Sequence, residues 1–472
     1  MQCASAGILV LDLLWRICMT PAFSTLAAIR FGYGLSPSVV PPPSVESMLA
    51  RLQGPDVMAR RFPIASFATR AKQERALGKL RKARRQKMPG AEAAFRKANR
   101  AATRDLLRDM GTSILRPLVS EDGLRERLLR FWADHFTVAA HGKGLRYVTT
   151  GYIESAIRPH MTGSFATLLK SASLHPAMLI YLDQIQSIGP NSRIGKRLHR
   201  GLNENLAREM LELHTMGVDG SYTQKDVRQF AKLLTGVFYN FRTGFKYRAA
   251  AAEPGAETVL GHSYGGARGR LDDIYAFLDD LAVHPDTAHN IAHKLAVHFV
   301  SDTPDPALVA ATSAAFRDSR GDLMATYRAM LSHPAAWQGF GLKARQPFDF
   351  MVSALRAMGG GAEVIRPLSP RKLRQYFAAP MQIMGQRWLQ PGGPNGWPES
   401  VADWITPQGL AARIEWSLMA AAVVDRGLDP RDLARNGLAE MASPRLLGLV
   451  GAAESRAEGV ALLLSSPEFN RR

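Results

Sequence analysis

Apolar residues recur at three- and four-residue steps along almost the whole chain, and this spacing limits what the chain can become more than any other feature. GLRERLLRFWADHF, NENLAREMLELHTMG, DVRQFAKLLTGV, LDDIYAFLDDLAV, TAHNIAHKLAVHFV, DLMATYRAMLSHP and QGLAARIEWSLMAAAVVD all carry it. Each such run buries one face of a helix. Helix ends are marked as well. Thr223 with Asp226 fits a capping box, Gly217 a C-terminal cap, and Pro176, Pro285, Pro306 and Pro334 stand where a first turn accepts proline. The pattern predicts a mainly α chain, a compact multi-helix body. One excursion is expected at about residues 237 to 260, where aromatic-rich VFYNFRTGFKYR and then ETVLG suggest two short strands, a small β-hairpin. No repeat of fixed period is present, which argues against a regular solenoid.

Charge is concentrated. The formal net charge is +19, and residues 51 to 110 hold 17 Lys or Arg against 5 Asp or Glu, a local excess of 12. Helical runs on either side of Pro89-Gly90 make this a basic N-terminal helical hairpin at about residues 66 to 110. An acidic partner protein, nucleic acid or an anionic surface would meet that charge. The stretch has only Phe62, Phe67 and Phe95 among its basic residues, so nucleic-acid contact is expected to be weak, salt-sensitive and non-specific. Arg outnumbers Lys 46 to 14 through the whole chain, which reads as compositional bias more than as a local code. With 46% apolar and 21% charged residues, wholesale disorder is excluded.

Both cysteines, Cys3 and Cys18, lie in the first 18 residues, so the body that follows has no disulfide, Cys-based zinc site or Cys nucleophile. The opening AGILVLDLLWRICM contains Asp12 and Arg16 and fits neither a signal peptide nor a spanning helix. Met19 is a credible alternative start. Residues 1 to 18 are therefore expected outside the fold, with 19 to 472 forming one helical domain, no transmembrane segment and a cytoplasmic location.

The segment 203 to 216 carries the densest chemistry. At about 100° per residue, Asn205, Glu209 and Glu212 fall within about 60° of one another with Arg208 at the margin. This face suits either a solvated set of i,i+4 ion pairs or a carboxylate site that holds a hard cation or acts as acid and base. His214 points about 180° from Asn205 and joins only if the helix end distorts. His135 shares a face with Leu124, Leu128, Phe131 and Trp132, as a core histidine or a buried base. Lys294 is an anion ligand or a snorkelling residue. His289 and His293 stand one turn apart without the glutamate of a zinc-protease motif. Trp388, Trp397, Trp404 and Trp416 cluster around PGGPNGWPES, as an aromatic plug or an open stacking platform. The catalytic candidates are thus Glu209, Glu212, His135, Asn205, Arg208, Lys294 and His214, in a hydrolase-like or metal-assisted site. Metal and cofactor are left unassigned, and a non-enzymatic binding or assembly protein working through the basic hairpin is the alternative.

AIRFGYGLSP, FWADHFTV, ENLAREMLELHTMGVDGSYTQKDVRQFAKLLTGV, IAHKLAVHFVSD, MGQ with PNGWP, and LLLSSPEFNRR resemble, in order and spacing, the bacterial domain-of-unknown-function family eighteen hundred. The resemblance covers nearly the whole chain from about residue 22. It implies a predominantly helical fold and no established reaction. By motif match it points to His135, Asn205, Arg208, Glu209, Glu212, His214, Thr223, Asp226 and Lys294. Many members are encoded beside an exported partner, and export signals are common among them. The resemblance therefore implies an acidic partner encoded nearby as one option, and an exported or periplasmic location as the alternative to the cytoplasm.

Overall fold

His175, His284, Asp305 and His333 each accept a hydrogen bond from a first-turn backbone N–H, and each precedes a proline at the first helical position. The Thr223–Asp226 capping box forms in both directions. These local signals start helices where the sequence places them. The computed structural model describes residues 21–472 apart from Lys143, Arg200, Asp425, Arg426 and Leu428, so the expectation for residues 1 to 18 lies outside the described residues. The structure is 63% helical, with two small antiparallel sheets among the described residues.

The helices that bear on function are α1 (Phe67–Arg85), α2 (Ala91–Val119), α3 (Gly123–His135), α4 (Asn205–Glu209), α5 (Gln224–Leu233), α6 (Pro285–Phe299) and α7 (Pro347–Ala357). The expected basic hairpin is α1 with α2, turned at Gln86–Gly90, and α2 runs on to Val119 as one helix. Little apolar surface closes this pair: only Leu77, Ala102 and Tyr147 form a small buried cluster there. Polar links do more, since Arg70 reaches Asp109 at 2.5 Å and Gln73 reaches Asp105 at 3.0 Å.

Buried apolar side chains form two large clusters. One gathers Leu124, Leu128, Phe131 and Trp132 of α3 with α4, α5 and α6; the other gathers Phe348, Phe350 and Leu355 of α7 with Trp416 and Phe469. Each fully buried large side chain contributes about 1.5–3 kcal/mol. Every residue of α7 is buried, which makes it the central helix of the second cluster.

The β excursion differs in detail from the sequence reading. β1 (Val237–Asn240) pairs with β2 (Gly244–Tyr247), and β3 (Gly255–Val259) with β4 (His262–Gly266), so VFYN and ETV belong to separate hairpins. Leu260 and Gly261 both have positive φ, at 50° and 80°, and turn the second hairpin tightly. Its return strand, HSYGG, buries only Tyr264, too thin an alternation to show in the sequence.

Candidate active site

Arg127, Arg130 and Asp134 stand at steps of three and four on α3 and so share one face. That face forms one wall of a cleft between the two apolar clusters. Gln346, Phe348 and Asp349 from the start of α7, His298 from α6, and Trp388 and Trp397 from the Pro/Gly-rich loop complete it. Clefts between packed units are where ligands are most often held.

The floor is a buried chain of charges. Arg127 pairs with Asp349, and its other Nη lies 3.4 Å from His298 Nε2. His298 Nδ1 is 2.6 Å from Glu399, which also meets Lys343 at 3.4 Å. This fits a neutral imidazole that donates from Nδ1 to the carboxylate and accepts from Arg127 at Nε2. Burial pulls His298 down to about 4, against the pull of Glu399. Burial pushes the Glu399 carboxyl up, but His298, Lys343 and Arg472 outweigh it and hold the group at about 2. Asp134 has the opposite fate. Burial and then the charge of Glu399 push its carboxyl well up, although both oxygens lie 3.0 Å from the Trp397 backbone N–H. Two carboxyls of one site are thereby driven towards opposite protonation states, the arrangement that separates an acid from a base. Arg130 lies 3.7 Å over the Phe348 ring and forms no ion pair among the described residues, while the Trp388 indole N–H has no hydrogen-bond partner there.

The seven residues singled out from sequence divide into an outer and an inner group. Asn205 is exposed at the first position of α4. Arg208 reaches Glu212 at 3.2 Å, Glu204 at 3.4 Å and Gln224 at 2.9 Å. Glu209 is half-buried, and burial followed by the charge of Glu212 raises its carboxyl. After Glu209 the helix widens into a π turn over Met210–His214, the distortion that His214 needed to leave its regular phase. His214 nevertheless stays on the inward side, 1% exposed, where regular winding would also have put it, so the distortion does not bring it to the carboxylates. Three side chains then meet the splayed carbonyls: His135 Nε2 at 3.0 Å from His214 O, Lys294 Nζ at 2.8 Å from Leu213 O, and Asn290 Nδ2 at 2.6 Å from Thr215 O. His135 and His214 have rings 6.0 Å apart, and neither Nδ1 has a partner among the described residues. The outer carboxylates and the inner His135, His214 and Lys294 thus lie on opposite sides of one helix end. Lys294 links that end to the cleft. Burial pulls it down to about 8, while Asp134 and Glu399 pull it up.

Sequence reasoning passed over Asp134, Arg127, Arg130, His298 and Glu399. The signal was close by. Asn290, Lys294 and His298 recur every four residues along the inward face of α6, whereas His289 and His293, with the same spacing, are exposed with rings stacked 6.4 Å apart. Among the described residues no group of three or more His, Cys, Asp or Glu side chains is placed to hold a metal ion. The tryptophans divide too: Trp404 and Trp416 are buried plugs, while Trp388 and Trp397 are half-exposed cleft walls. Thr223 and Asp226 are occupied as helix caps.

No curated protein and no solved structure matches the chain. Residues 27–471 match the family DUF1800, described as a protein of unknown function, and with nearly the whole chain matched the protein belongs to that family.

Proposed function

We propose that the protein binds an anionic small molecule with a ring or apolar portion in the cleft between α3 and α7, and acts on it by hydrolase-like acid–base chemistry. The observation that carries this reading is the Arg130 guanidinium, which lines the cleft, hydrogen-bonds Tyr33 and forms no salt bridge among the described residues, Asp349 and Glu126 acting on it only from further away. A cation in such a place is the natural anchor of a ligand carboxylate or phosphate. Trp388 adds a buried indole N–H that has no hydrogen-bond partner among the described residues, and Phe348 and Trp397 add ring surface. Asp134, held towards its protonated form, is the proton donor, and the Glu399–His298 pair fixes Arg127 at the floor. The test is a thermal-shift panel of aromatic carboxylates and phosphate esters. Ligands should stabilise the wild type by mass action and lose that effect in Arg130→Gln; equal stabilisation of wild type and variant would sink the reading.

Within the same reading, the chemistry has a second placement on the outer face of α4. There Glu209 and Glu212 would act as acid and base, or hold a cation with Asn205, beside Arg208 and with His135, His214 and Lys294 behind them. The raised Glu209 carboxyl favours it. Asp134→Asn and the Glu209→Gln/Glu212→Gln pair separate the two: whichever abolishes turnover of a ligand found in the panel, with folding retained, marks the reacting face.

The alternative is a binding or assembly protein that meets an acidic partner, nucleic acid or an anionic surface through the α1–α2 hairpin. A cation-lined groove beside that hairpin favours it. No helix among the described residues is long and apolar enough to cross a membrane.

A further inference from the structure

Between α1, the turn that carries Gly142, Gly144 and Arg146, and the turn of the β1–β2 hairpin lies an open groove. Arg75, Lys79, Lys82 and Arg85 stand along one wall, spanning about 15 Å of helix. Arg146 and Arg242 stand on the loops across from them. All these cations are exposed, and none forms an ion pair among the described residues. The carboxylate that lines the groove, Glu74, is buried and held by Arg81 at 3.2 Å. At Gly78 and Gly142 an added Cβ would meet open space, so the floor is free to be approached.

The lining also says what the groove is not built for. Its rings are covered: Phe95 lies under Arg84 at 4.2 Å, Tyr147 is buried with its hydroxyl 2.9 Å from Asn99, and Phe241 meets Tyr239 edge-on at 5.5 Å. Phe95 and Phe241 are partly buried and offer little ring surface for stacking a base or seating an apolar side chain, and the β residues lining the groove are turn residues with no strand edge to offer a peptide. A flat bilayer cannot touch cations on both walls of a groove. What remains matched is a flexible chain of evenly spaced anions.

We propose that this groove takes the phosphodiester backbone of a single nucleic-acid strand, independent of its sequence. The proposal rests on the alternative reading above, that the hairpin is a docking element. The test titrates the full chain into a labelled oligothymidylate of about 20 nucleotides and follows anisotropy between about 50 and 200 mM salt. Affinity should fall steeply with salt. Lys79→Glu/Lys82→Glu and Arg146→Glu/Arg242→Glu should each weaken binding at least about tenfold at the lower salt, and each should flatten the log–log salt slope by roughly 1.4, about 0.7 for each phosphate contact removed. Lys97→Glu, a cation of α2 outside the groove, should change affinity by less than about twofold. Should the α1 pair misfold by circular dichroism, the loop pair carries the test alone. Equal loss from Lys97→Glu, or a duplex of the same length binding as tightly and blind to the loop pair, would overturn the proposal. Groove-dependent binding of polyglutamate or phosphatidylserine vesicles in place of the oligonucleotide would overturn it while keeping the docking reading. Groove-independent behaviour of all three polyanions would end both.

Discussion

Around the cleft floor, Arg127, Arg345, Arg413 and Arg472 are each no more than 1% exposed, whereas across the hairpin groove Arg75, Arg85, Arg146 and Arg242 all face water. The inner set is spent on the protein itself. Arg413 donates to Asn470 at 2.8 Å and to the Arg345 carbonyl at 2.7 Å, and Arg472 donates to the His298 carbonyl at 2.8 Å. Arg413 and Arg472 thereby tie segments distant in sequence and satisfy carbonyls that no helix or sheet covers, whereas Arg345 packs its guanidinium 4.6 Å over the Phe469 ring, with neither Nη hydrogen-bonded among the described residues. The outer set forms no ion pair among the described residues. Composition cannot separate the two uses, so the excess of Arg over Lys describes two populations that only packing tells apart.

Breaking the inner set should cost most. Arg127→Met leaves Asp349 buried without its cation and should destabilise by about 3–5 kcal/mol in urea unfolding, and Arg127→Met/Asp349→Leu should recover much of that loss. A single-variant loss below about 1 kcal/mol would show that the buried layer is not a structural unit.

Acid should act on the interior and spare the groove. Burial pulls His175 and His214 down to about 3 and His298 down to about 4, whereas the unfolded groups titrate near about 6.5. The unfolded state therefore takes up protons first, and stability falls as pH drops from about 6.5 towards 4. His175 alone should account for about 2 kcal/mol at about pH 5. His175 also caps a helix through Nδ1, so His175→Asn should keep the cap and flatten the profile. Oligonucleotide binding, carried by Arg and Lys, should hardly change over the same range; a parallel loss would mean that the groove depends on the interior.

Smaller effects sharpen the contrast. Lys294→Met orphans the Leu213 carbonyl and should cost about 1 kcal/mol by thermal unfolding. Lys82→Ala, on the exposed groove wall, should alter stability by no more than about 0.5 kcal/mol while weakening polyanion binding.

The helical body was legible because its signals are local: capping boxes, prolines at first turns and a three-to-four spacing all act within a few residues. The hairpin of α1 and α2 was legible for the same reason, through Pro89-Gly90. The cleft was not. Asp134 is an ordinary polar position on α3 until Trp397 and Glu399 arrive from a distant loop, and His298 becomes a charge relay point only when Arg127 and Glu399 close on both sides of it. The segment Asn205–His214 was read as amphipathic, but periodicity fixes only the direction a residue faces, and the hydrogen bonds that Gln224 makes to Arg208 and Glu204 depend on where α5 begins.

The π turn at Met210–His214 has a consequence for how this segment tolerates change. A turn of this kind holds one residue more than a regular helix needs, so it behaves as an α-helix into which a residue has been inserted. Removing one residue there would restore the ordinary winding and draw the segment after it back by one residue. The carbonyls of Leu213, His214 and Thr215, unpaired at the helix end, would then shift away from Lys294, His135 and Asn290, which would lose their acceptors together. Length at this point is therefore as strictly specified as identity: a deletion of one small step in the chain would undo three contacts that no single substitution could remove at once.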